Sequence, residues 1–179
     1  MNCVKSVSIE QEIGKGRMWF LSIAMTLAYF MIFYTVFSTF VVNAPMIDHG
    51  FFVLTVALLL TLPLHSFLHC LPIWLVGKKA TFGLKRNHWP YFCYSTRQPL
   101  SKQISLIATI SPALFITAGS ILAAIMFPQY LHYISMVSAL NFGLCLHDFF
   151  TFKQISSAPS ESVIEENQRG FYVLIKGQE

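Results

Sequence analysis

The chain has 179 residues, 55% of them hydrophobic and only 11% charged, against about 25% charged in an ordinary soluble domain. This composition excludes a free-standing soluble domain, and the length leaves room for one membrane domain with short tails and loops. The net charge of +4 comes from basic residues between apolar runs, so it reports orientation in a lipid bilayer rather than nucleic-acid binding.

Residues Met1 to Gly16 mix Lys5, Glu10, Glu12 and Lys15 and read as a cytosolic tail with a short strand or helix. The apolar run behind them is too long for the h-region of a signal peptide. Met18 to Val42 carries no charge and exceeds the roughly 20 apolar residues that a span needs. Trp19 beside Arg17 anchors one end at an interface, and the Phe and Tyr stripe of this span reads as lipid-facing. Asn43 to Gly50, with Pro45 and Gly50 as breakers, turns the chain back.

Phe51 to Val76 is the second span. It contains Leu62-Pro63-Leu64-His65-Ser66-Phe67-Leu68-His69-Cys70-Leu71-Pro72. On a helix, His65 and His69 lie on one face, one turn apart. Pro63 and Pro72 free the carbonyls of Leu59 and Leu68, which predicts a locally distorted, polar pocket. Gly77 to Gln103 is hydrophilic and carries Lys78, Lys79, Lys85, Arg86, Arg97 and Lys102 without an acid. Within it, His88 to Thr96 is aromatic and β-prone, as expected of a short hairpin or an interfacial loop at the lipid headgroups.

Ile104 to Phe127 is the third span. Pro112 interrupts it, and Gly119, Ser120, Ala123 and Ala124 allow close helix packing. After a turn at Pro128-Gln129, Tyr130 to Phe152 forms the fourth span, with Asn141, His147 and Asp148; Asp148 is the only acid in any span. Lys153 to Glu179 is a polar tail whose segment Gly170 to Ile175 reads as one strand. Cys3, Cys70, Cys93 and Cys145 form no C-x-x-C pair, so no disulfide framework is expected.

The expected fold is an all-α integral membrane protein with four transmembrane helices in one polytopic domain. The spans cover about 18–42, 51–76, 104–127 and 130–152, with tails 1–17 and 153–179 and a loop 77–103 carrying short strands. All 12 Lys and Arg lie in the tails and the central loop, which places both termini and that loop in the cytosol, beneath the cell membrane.

With that topology, His65, His69 and Asp148 fall at comparable depth in the inner half of the second and fourth spans. Asn141, Cys145 and Asp148 share one face of the fourth, at i, i+4 and i+7. Two imidazoles and a carboxylate with a fourth position open to water form a catalytic zinc set. The residues leave a second reading open: Asp148 hydrogen-bonding a neighbouring helix, with His147 as its partner. His49, His88 and His132 lie near interfaces and read as surface residues.

These motifs resemble a family of small bacterial membrane proteins classed as zincin-type metallopeptidases. In that family a second span carries H-E-x-x-H; here it is His65-Ser66-Phe67-Leu68-His69. A proline in the third span follows, here Ser111-Pro112, then N-x(6)-D, here Asn141 and Asp148, and a final G-F-hydrophobic strand, here Gly170-Phe171-Tyr172-Val173. The resemblance spans nearly the whole chain. It implies zinc as the metal and His65, His69 and Asp148 as its ligands, with Asn141 and His147 behind them.

Ser66 departs from the pattern. It stands where the family has the glutamate that activates water, and a serine is no base near neutral pH; losing a general base costs about 10²–10⁴ in rate. Three functions follow in order of preference. The first is a non-catalytic relative that keeps the pocket and the zinc and binds a membrane-protein partner. The second is an active membrane metallopeptidase with another group in place of the base. The third is a small transporter or channel subunit in which Asp and His relay ions, disfavoured because the halves show no inverted repeat.

Overall fold

The computed structural model describes residues 2–9, 13–40, 45–84, 92–96, 98–167 and 170–175. Four long helices dominate: α1 (Lys15–Phe40), α2 (Gly50–Leu75), α3 (Lys102–Met126) and α4 (Leu131–Ser156). Each is long and apolar enough to cross a membrane. Helices therefore cover the four expected segments, with the ends of some moved. α1 begins at Lys15 because the long stems of Lys15 and Arg17 tolerate the edge of an apolar helix; residues 41 and 42 of the expected span lie outside the described residues. α4 runs on to Ser156, since no breaker precedes Pro159. The Lys102 ammonium closes that end, donating to the carbonyls of Ser156 at 2.8 Å and Ala158 at 2.6 Å.

α4 is the central helix and touches the other three, while α2 also packs on α3. α1 fully buries only Phe33 among its described residues. Its aromatic stripe divides: Phe20 and Phe40 are exposed, but Tyr29 stacks on Phe142 of α4 at 4.3 Å and hydrogen-bonds Ser138 at 3.0 Å. The purely lipid-facing expectation is thus corrected, because the hydroxyl and ring face of Tyr29 find partners on α4. At Gly143, the backbones of α1 and α4 come close. Ser22 Oγ donates to the Gly143 carbonyl at 2.7 Å, and a Cβ at Gly143 would run into Thr26 Oγ1 and sit 3.0 Å from the Ser22 carbonyl.

The six described strands are β1 (Asn2–Val7), β2 (Ala80–Leu84), β3 (Phe92–Thr96), β4 (Leu100–Ser101), β5 (Val163–Asn167) and β6 (Gly170–Ile175). β2 and β3 pair antiparallel, Ala80 opposite Thr96, as the hairpin reading expected; residues 85–91, including His88, lie outside the described residues. The other four strands form one sheet in the order β1-β6-β5-β4. It draws on both tails and the central segment, so all three meet at one end of the bundle. Val7, Ile9, Ile155, Ile164, Phe171 and Val173 make the apolar core between sheet and helix ends.

At the opposite end, Asp48 accepts from Gly50 N at 2.8 Å and Tyr133 Oη at 2.5 Å. These two bonds, Tyr133 first, hold its carboxyl below the usual carboxylate range. His49 is exposed beside Tyr130. His132 is half-buried rather than a surface residue, with both ring nitrogens enclosed.

Candidate metal centre

Two prolines shape the ground beneath the site. α2 runs as one helix from Gly50 to Leu75, with Pro63 and Pro72 inside it. The carbonyl of Leu68, left without its helical donor by Pro72, accepts instead from Ser111 Oγ of α3 at 2.5 Å. Pro112 of α3 frees the carbonyl of Ala108 in the same way, and His69 Nδ1 lies 2.8 Å from that oxygen.

A neutral imidazole has one N–H and one lone pair, and the partner of the N–H decides where the lone pair faces. A carbonyl only accepts, so His69 carries its proton on Nδ1. His65 Nδ1 lies 2.9 Å from Asn141 Oδ1. Asn141 Nδ2 donates to the Pro112 carbonyl at 3.3 Å, which fixes the amide so that its oxygen accepts from His65. Both rings therefore turn an unprotonated Nε2 toward α4.

The two Nε2 atoms are 3.3 Å apart. Asp148 Oδ2 is 3.3 Å from the one on His65 and 3.5 Å from the one on His69. With neutral rings, three acceptors converge with no proton among them, and Oδ2 is buried without a hydrogen bond. His69 is 3% and Asp148 8% exposed, so water cannot readily relieve the repulsion. A cation can. On a tetrahedral zinc ion with bonds of about 2.0–2.1 Å, donors stand about 3.3–3.4 Å apart. The observed edges of 3.3, 3.3 and 3.5 Å lie within about 0.2 Å of that spacing.

His65, His69, Asp148 and Asn141 are thus brought together, while His147 is exposed and outside this network. Ser66 is buried on α2. Glu165 is exposed on β5, outside the helix bundle. Two participants escaped the sequence reading. The Ala108 carbonyl could have been found from Pro112, four residues on. Cys145 was seen on the Asn141–Asp148 face but given no role; it is 0% exposed, and its Sγ, a His65 ring nitrogen and an Asp148 carboxylate oxygen all lie within 4.8 Å of one another.

No curated protein and no solved structure matches the chain. Residues 58–163, the stretch that holds both histidines, Asn141 and Asp148, match the family described as "putative zincin peptidase". The chain belongs to that family.

Proposed function

We propose that this protein crosses the cell membrane four times, with both tails and the central loop in the cytosol, and binds zinc through His65, His69 and Asp148 as a non-catalytic member of its family. Two facts support the topology. Every Lys and Arg lies in the tails and the central loop, and these segments share one sheet at one end of the bundle. That is the end a cytosolic face would occupy. The site lies about 9–12 Å from it, since His69 precedes Leu75 by six residues and Asp148 precedes Ser156 by eight, at 1.5 Å per residue.

The observation that carries the zinc reading is the triangle of two imidazole Nε2 atoms and one carboxylate Oδ2, with edges of 3.3, 3.3 and 3.5 Å and an Oδ2 that is buried without a hydrogen bond. When bound, zinc supplies Lewis acidity and a charge that offsets the buried carboxylate. The chain's own part is orientation: Asn141 and the Ala108 carbonyl hold the Nδ1 protons and keep both lone pairs on the centre. Among the described residues of the four helices no glutamate is present. Ser66 stands at the position of the family's glutamate, and its hydroxyl is no base near neutral pH. Without that base the proposed role is to hold a membrane-protein partner rather than to cut one.

Metal analysis of detergent-purified protein tests this. One equivalent of zinc in the native chain and none in His65→Ala is expected; native protein that purifies and refolds with zinc yet retains no stoichiometric metal overturns the reading.

A further inference from the structure

We infer that Cys145 is a fourth zinc donor, so that this chain builds a closed His65–His69–Cys145–Asp148 set. The inference rests on the zinc reading above and deepens it.

Position is the first argument. Cys145 precedes Asp148 by one turn of α4, so both side chains leave the same face. Its thiol is sealed from solvent, and its Sγ belongs to the cluster with His65 and Asp148, all within 4.8 Å. Donors around a zinc ion bound by one sulfur at about 2.3 Å and nitrogens or oxygens at about 2.0–2.1 Å stand about 3.3–3.6 Å apart. Toward the His65 nitrogen and the Asp148 oxygen the thiol therefore needs a contraction of at most about 1.5 Å, a distance that rotation about its single χ angle can supply.

Charge is the second argument. Two neutral imidazoles and one carboxylate leave a zinc ion with a net charge of +1 in apolar surroundings, which is costly. A thiolate brings the set to zero. Among the described residues of the four helices, Asp148 is the only acid, so Cys145 is the group placed to complete neutrality. Coordination matches as well: four protein donors make a closed site, whereas catalytic zinc keeps one position for water or substrate. A closed set agrees with serine at position 66. It makes the metal a clamp between α2 and α4.

Cobalt(II) replacement reads this out without any activity assay. Full-length detergent-purified protein is stripped with a chelator and loaded with cobalt(II). A thiolate ligand gives a sulfur-to-cobalt charge-transfer band in the near ultraviolet, which nitrogen and oxygen ligands lack. The native protein is expected to show the band, and Cys145→Ser to lose it while its zinc affinity falls by at least ~10-fold. A chain in which Cys3, Cys70 and Cys93 are all replaced by serine, leaving Cys145, is expected to keep the band, which decides the matter even if Cys145→Ser fails to fold. Stoichiometric cobalt without the band in native protein overturns the fourth ligand and leaves the three-ligand reading standing. Failure to bind one equivalent of cobalt or zinc overturns both.

Discussion

Asn141 offers the sharpest test of how the site is held. It touches no metal in the proposed arrangement; its side-chain oxygen accepts from His65 Nδ1 and its nitrogen donates to the Pro112 carbonyl. Asn141→Ala leaves the His65 Nδ1–H without an acceptor in a buried setting. The ring is then free to place its proton on Nε2 and withdraw one donor from the centre. Changes to groups that orient metal ligands cost about 10–100-fold in affinity, or about 1.4–2.8 kcal/mol. The unpaired donor also lowers the stability of the metal-free protein by about 1–3 kcal/mol. Competition for zinc against a chelator in detergent measures the first quantity, and thermal unfolding of stripped protein measures the second. Asn141→Asp keeps an acceptor for His65 and is expected to retain more affinity than Asn141→Ala. An Asn141→Ala protein that folds and binds zinc as tightly as the native chain refutes the orienting role.

Three further predictions rest on other parts of the fold. Native protein is expected to cleave fluorescent casein no faster than His65→Ala does; hydrolysis above that background contradicts the absence of a base at position 66. Gly143→Ala overpacks the α1–α4 contact and is expected to cost about 1–3 kcal/mol in detergent unfolding, with Thr26→Ala recovering part of the loss; an unchanged midpoint means the helices do not approach as closely as Ser22 and Gly143 indicate. Tyr133→Phe removes the stronger of two donors to Asp48, so the carboxyl titration followed by NMR moves up toward the ordinary range. The lowered value means this contact's contribution is present above the unfolded-state pKa and lost as pH falls through the folded one; a titration unmoved by the substitution contradicts the Tyr133 bond.

The helices were legible because hydrocarbon demands long uncharged runs, and those runs survive in any register. The convergence of His65, His69 and Asp148 followed from depth: alternate spans run the same way, so residues at matching distances from their ends meet. What the sequence concealed was nonlocal. Val163-Ile164 is too short an apolar run to announce a strand, and β1 pairs with β6 across nearly the full chain. No local pattern encodes that partnership. His147 and Asp148 are neighbours in sequence, yet adjacent helical residues point about 100° apart, so one is buried and the other exposed. The prolines hid nonlocal partnerships of their own: the Leu68 carbonyl freed by Pro72 is taken up by Ser111, and the Ala108 carbonyl freed by Pro112 by His69.

The pairing of β1 with β6 also sets an order on biogenesis. Asn2–Val7 leaves the ribosome more than 160 residues before Gly170–Ile175, so β1 must wait for its partner strand until the whole helical bundle has been made. The bundle is laid down before its cap can close, and a nascent chain stalled short of residue 170 leaves β1 without the strand it pairs with.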